Sequence, residues 1–200
     1  MGASGSGKSE WVKRELRAAR PRRLLIWSPL EATDRYSEFA PVCRTLAAAA
    51  RIVAAAGARG AFAVCFVPAG DDKARAAQFD FICRLASAAK NLTLVVEELK
   101  FVTRPSWSPM AWAAITLQGR HHGLTVYGTS QRPAHIDKDF LSNCTVIHTG
   151  MLGETLDLVP VANAMRLDAK GRAALEALRP LEWMQKTRAT GALTRGKLTF

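Results

Sequence analysis

The chain of 200 residues lacks any run of about eighteen uncharged apolar residues, the length that a membrane-crossing helix needs. Its greasiest stretches, Ile52–Ala56 and Ala61–Ala69, are sized for strands or core helices, so no membrane span is indicated. No secretory-leader pattern is visible, because the N-terminus is rich in glycine and serine rather than basic and then apolar. Cysteine is sparse: Cys43, Cys65, Cys83 and Cys144 stand far apart without a C-x-x-C pair. That spacing argues against a zinc knuckle or a disulfide scaffold and suits reduced, buried thiols of a cytosolic protein. His121 and His122 have no spaced acidic or histidine partners, so a metal is not indicated there. Acid is also scarce, with 17 Asp and Glu against 28 Lys and Arg, a net charge of +11 and a pI near 10.1. Such an excess points to a polyanionic partner, nucleic acid or an anionic surface.

What the chain does have is core material. With 48% hydrophobic residues it can bury a substantial interior, and its length suits one domain with a small appendage. Lys8 to Ala19 reads as a helix, because Trp11, Val12, Leu16 and Ala19 recur at helical spacing before Pro21. Short continuous apolar runs follow at Leu24–Trp27, Ala61–Val67, Leu92–Val96, Leu124–Thr129 and Thr145–His148, each read as a strand. Between them lie helical stretches from Phe39 to Ala56, from Asp71-Asp72 to about Lys90, from about Met110 to Gln118, and at Asp137–Asn143. Apolar strands alternating with helices describe an α/β fold, a mainly parallel sheet covered by helices on both faces. Residues 1–165 form this expected core. Residues 166–200 read as an appendage of the same domain, a helix at Ala169–Leu178 and a hairpin of Leu181–Thr187 with Leu193–Phe200.

The opening "MGASGSGKSEW" fits the phosphate-loop pattern G-x-x-x-x-G-K-[ST] over Gly2, Ala3, Ser4, Gly5, Ser6, Gly7, Lys8 and Ser9. In such a loop backbone N–H groups point at phosphate oxygens and the next helix adds its positive end. Lys8 would reach the β- and γ-phosphates of ATP, and the Ser9 hydroxyl would hold Mg²⁺. The pattern asks for a strand in front of it, yet only Met1 precedes Gly2, so the expectation is that an apolar strand is encoded further upstream.

Two more parts follow in order. "LTLVVEE" ends a buried strand in Glu97 and Glu98; the first acid would bind Mg²⁺ through water and the second would polarise the attacking water. Aspartate is usual in the first place, and which glutamate is the catalytic base stays open. "LTVYGTSQRP" then sets Gln131 at a strand tip, where a polar side chain can position water near the γ-phosphate.

"LVVEELK" and "LQGRHHGLTVYGTSQRPAHIDKDFLSNCTVIHTG", together with the loop, resemble the FtsK–HerA superfamily of ring-forming, DNA-pumping P-loop ATPases. The compact size is most similar to genome-packaging ATPases of tailless, membrane-containing phages. The resemblance implies ATP bound between neighbouring subunits of a ring, hexameric by analogy, with an arginine reaching across to the γ-phosphate. Arg120 in "QGRHHG" is the first candidate and Arg132 in "SQRP" the second. It further implies a motor that drives double-stranded viral DNA into a capsid, docked on a capsid or portal-like protein, in the host cytoplasm or on the virion. Two alternatives stay open: an assembly or extrusion ATPase of the zonula-occludens-toxin type, and a non-catalytic DNA-binding module. Candidate DNA contacts are Lys13, Arg14, Arg17, Arg20, Arg22 and Arg23 on the first helix and its exit, and Arg188, Arg195 and Lys197 in the tail.

Overall fold

Lys8–Ala19 forms α1, entered through Gly7 in a left-handed conformation (φ 84°). The structure, a computed structural model, describes residues 1–199. Pro21, which cannot continue a helix, passes the chain to β1 (Arg23–Trp27), where every residue is buried. Continuous burial is what a strand inside a sheet covered on both faces requires. The chain then makes a one-turn helix, α2 (Glu31–Asp34), a two-residue strand, β2 (Val42–Cys43), and α3 (Leu46–Ala56). β3 (Phe62–Phe66), α4 (Asp72–Ala89), β4 (Thr93–Val96), α5 (Met110–Gln118) and β5 (Thr125–Gly128) follow. The strands pair in parallel in the order β2-β3-β1-β4-β5.

Alternation along the strands separates two apolar layers. Leu25, Trp27, Val64, Phe66, Leu94 and Val96 face α3, α4, α5 and the short α6 (Lys138–Asn143). Leu24, Ile26, Cys65 and Val95 face Val12 and Leu16 of α1. Helices therefore cover both sides of the parallel sheet, as the sequence pattern indicates.

Three elements depart from the sequence reading. The helix expected from Phe39 begins only at Leu46. Pro41 lacks the N–H that an interior helical turn needs, and Thr45 starts the helix by accepting the Ala48 N–H at 3.3 Å. After a 3₁₀ turn at Tyr36–Glu38, the freed segment instead contributes the edge strand β2. Second, the strand expected at Thr145–His148 is β6 (Val146–Gly150), but it does not join the parallel sheet. It pairs antiparallel with β7 (Glu182–Thr187), which turns into β8 (Leu193–Lys197), giving a three-stranded sheet in the order β6-β7-β8. Third, Thr155–Ala164 forms α7 despite Pro160, held by buried Val161 and Ala162. α8 (Ala169–Glu176) follows, capped by Asp168 accepting the Gly171 N–H at 2.7 Å. Phe200, the last residue of the expected hairpin, lies outside the described residues.

β5 and β6 face each other without pairing, across a cleft of about 540 Å³. Met1 and Gly2 sit at one end of it, where they lead into the loop before α1.

Candidate nucleotide site

The segment from Gly2 to Ser9 wraps the N-terminal end of α1, where the first N–H groups of any helix lack internal partners. Gly7 holds a positive φ with Leu198 and Leu181 of the hairpin packed over it, so a side chain there would be strained and would strike Leu198. The Ser6 hydroxyl is buried and unpartnered inside the loop. Free N–H groups, a positive helix end and an orphan hydroxyl together suit an anion such as a phosphate.

Lys8, the first residue of α1, is buried with its Nζ 3.5 Å from Glu98 Oε1. Glu98 leaves β4 in a left-handed conformation, φ 51°, which for a glutamate costs about 1–3 kcal/mol and recurs at functional sites. Its other oxygen, Oε2, accepts the Gln131 backbone N–H at 3.2 Å, and its own N–H donates to Thr129 Oγ1 at 3.1 Å. The fold thus brings Lys8, Glu98 and Gln131 together.

Glu97 is placed differently. It has no exposed surface, and Tyr36 and Thr129 each donate a hydroxyl to one of its two oxygens. Burial, reinforced by the nearby Asp34 and Glu98 charges, lifts its pKa to about 7 despite those two hydrogen bonds. Both oxygens are occupied by protein donors. The carboxylate that faces Ser9 is instead Asp34, whose Oδ1 accepts the Ser9 hydroxyl at 3.4 Å and whose buried Oδ2 has no partner. Burial raises the Asp34 pKa, with Lys8 opposing.

Asp34, Tyr36 and Thr129 are the residues that the sequence reading missed. Asp34 and Tyr36 come from the segment after β1 and are aimed by Glu31. Its carboxylate accepts the Ser28 hydroxyl at 2.7 Å and the backbone N–H groups of Tyr36 (3.1 Å) and Ser37 (2.7 Å). Burial alone would raise the Glu31 pKa, but hydrogen bonds from Ser28, Ser37 and Cys65 hold it below the ordinary value. The only signal in the sequence was a polar cluster directly after an apolar strand.

Comparison with solved structures gives the fold. The genome packaging NTPase B204 of Sulfolobus turreted icosahedral virus 2, in complex with AMPPCP, aligns with a TM-score of 0.73 at 15% identity. All of this chain and 95% of that one are covered. The same protein in complex with sulfate aligns at 0.76, again at 15% identity, over all of this chain and 94% of that one. B204 described as the DNA-packaging ATPase of Sulfolobus turreted icosahedral virus aligns at 0.68 and 15% identity, over all of this chain and 95% of that one. The fold is that of a P-loop NTPase. By sequence, the chain is 26% identical over 178 residues to Protein P9 of Pseudoalteromonas phage PM2, covering 88% of this chain and 78% of P9. No model of a known protein family matches.

In this P-loop NTPase fold the two candidate arginines lie in different settings. Arg132 is engaged internally, its Nε donating to buried Asp157 at 2.9 Å with Glu154 at 3.7 Å. Arg120 is exposed on the 3₁₀ turn that leads into β5, at the opposite end of that strand from Gln131. The basic residues also divide. The Arg23 guanidinium is buried, donating to the carbonyls of Gly57, Gly60 and Ala89. Arg188 donates to the carbonyls of Leu141, Ser142 and Ala164. Lys13 and Arg17 pair with Glu38, and Arg17 also with Glu10. Arg14, Arg20, Arg22, Arg195 and Lys197 stay exposed.

Proposed function

We propose that the chain is an ATP-hydrolysing motor that packages double-stranded viral DNA. The observation that carries this reading is the Lys8–Glu98 pair at the head of α1, with Gln131 bonded to the same carboxylate. A polyphosphate seated on the loop draws Lys8 toward its β- and γ-oxygens. Glu98, released from Lys8, then faces the attacking water as its base, while Gln131 at the strand tip orients that water. Ser9 and Asp34 are the oxygen donors suited to Mg²⁺, which when bound neutralises charge on the β- and γ-phosphates. Glu97 acts one layer back: through Thr129 it fixes the strained backbone of Glu98.

Arg120, remote from its own chain's loop, serves the nucleotide of a neighbour, which makes the working form a ring, hexameric by analogy. Arg132 is the lesser candidate because Asp157 and Glu154 already hold it. The exposed Arg14, Arg20, Arg22, Arg195 and Lys197 grip DNA phosphates without reading sequence. The 26% identity to a phage protein, and a fold shared with viral genome-packaging NTPases, support this assignment and a docking partner on the capsid. No helix among the described residues is long and apolar enough to cross a membrane.

Phosphate release by purified protein tests the reading. Duplex DNA should raise the rate, and Lys8→Ala should lower it by on the order of 100-fold or more. Turnover indifferent to DNA would overturn the packaging motor in favour of an assembly ATPase.

A further inference from the structure

Beyond the end of β5 the chain turns through residues 130–134, and the hydrogen bonds of this turn go to three separate elements. The Ser130 carbonyl accepts the Gly2 N–H of the loop before α1 at 3.2 Å. The Gln131 N–H donates to Glu98 Oε2, just past β4, at 3.2 Å. Arg132 Nε and the Ala134 N–H both donate to Asp157 of α7, the first to Oδ2 and the second to Oδ1, each at 2.9 Å. Among the described residues the Gln131 carboxamide has no hydrogen bond of its own, so its direction follows from how the backbone around it is held.

Asp157 has no exposed surface, and a carboxyl group out of water is tolerated where its oxygens are bonded and a cation is paired with it. Both conditions hold here, and the first turn of α7 adds the positive end of a helix. Glu154, just ahead of α7, adds a looser and more exposed pair to Arg132 at 3.7 Å. The segment leading into α7 is also tied to the loop before α1, because the Ala3 N–H donates to the Met151 carbonyl at 2.8 Å. The head of α7, the turn after β5 and the loop before α1 therefore brace one another around Gln131.

We propose, resting on the ATPase reading above, that Asp157 is a positioning residue for hydrolysis: through Arg132 and Ala134 it holds the turn after β5 so that Gln131 faces the attacking water. It acts by geometry and touches neither nucleotide nor water. Glu98 is the other anchor of Gln131, but Glu98 parts from Lys8 when phosphates bind and turns to the water as its base. During that movement Asp157 supplies the fixed end of the turn. Its two oxygens grip residues 132 and 134 separately, so they set the direction of the turn as well as its distance from α7.

Asp157→Asn tests this selectively, because its amide oxygen still accepts the Ala134 N–H while its NH₂ group cannot accept from Arg132. In the full chain it should lower kcat for phosphate release by on the order of tenfold and leave KM within about twofold. Added to Gln131→Ala it should lower kcat no further, since the side chain that it aims is gone. Val161→Ala, buried on the next turn of α7, is the control and should lower Tm without lowering kcat. Arg132→Lys, which keeps the charge but not the Nε donor, serves should the Asn variant not fold. Amide exchange at Gln131 and Arg132, measured without nucleotide, should speed up by about tenfold in Asp157→Asn and stay unchanged in Val161→Ala. A kcat equal to wild type, a rise in KM alone, or a loss that multiplies with that of Gln131→Ala overturns the proposal. Wild-type protein without turnover overturns the ATPase reading instead. Exchange then decides the role of Asp157: faster exchange at Gln131 upholds its hold on the turn, and unchanged exchange overturns it.

Discussion

Glu97 is fully enclosed by its neighbours, with both oxygens hydrogen-bonded. At the end of an apolar strand and beside Glu98, it reads as a metal-facing acid; in the fold both its oxygens are sealed by Tyr36 and Thr129. Removing one donor tests that seal. Tyr36→Phe should destabilise the protein by about 1–3 kcal/mol and push the Glu97 pKa above its present value of about 7, because a bond to the charged form is lost. The signs follow from burial. Glu97 binds its proton more tightly folded than unfolded, so its contribution to stability is present below pH 4.5 and is lost as pH rises through 7. Glu97→Gln should therefore flatten the fall in stability between about pH 5 and 8, read as the urea midpoint at each pH. A Glu97 that served only as a surface charge would leave both measurements unmoved.

At the scale of elements, the hairpin β7–β8 reaches the loop before α1 through Leu198, which is 3% exposed and packed over Gly7. Leu198→Ala removes that cover and should cost about 2–4 kcal/mol in denaturant unfolding. It should also weaken ATP-analogue binding, followed by titration calorimetry, because the loop loses the side chain that fixes Gly7. On α1, Leu16→Ala should cost a similar amount through the opposite apolar layer, yet it lies away from the loop and should change nucleotide affinity less. The contrast separates bracing of the loop from general loss of stability.

For the whole molecule, a buried histidine contributes to the dependence on acid. Burial lowers the His148 pKa from 6.5 to about 3. The ring resists protonation in the folded state, so it contributes stability that is full above its unfolded pKa and is lost on acidification. Through His148, stability should decline as pH falls from 6.5 toward 3, below the range in which Glu97 is lost, read as the urea midpoint at each pH. The net charge of +11 acts at longer range. DNA binding should weaken steeply with salt, and replacing Arg20 and Arg22 by Gln should shallow that slope by about one to two, measured by anisotropy at several ionic strengths.

Much of this was legible in one dimension. The phosphate-loop pattern, the acidic strand end, the strand-tip glutamine and the α1, β1, β3, β4 and β5 cores are local, because each rests on spacing within a few residues. Partner choice was not local. β6 has the composition of any short buried strand, and only the position of β7 made it antiparallel. Basic residues looked alike until Arg23 and Arg188 proved to be holding backbone carbonyls and Arg14 did not. Asp34 and Tyr36 lie more than twenty residues from the loop that they face, without a motif to mark them. The sequence by itself determined the parallel α/β framework and the loop at the head of α1, since hydrophobic period and glycine placement suffice for those. Tertiary structure decided which acid faces Ser9, which arginines stay free and where the sheet stands open, since each depends on what burial brings alongside.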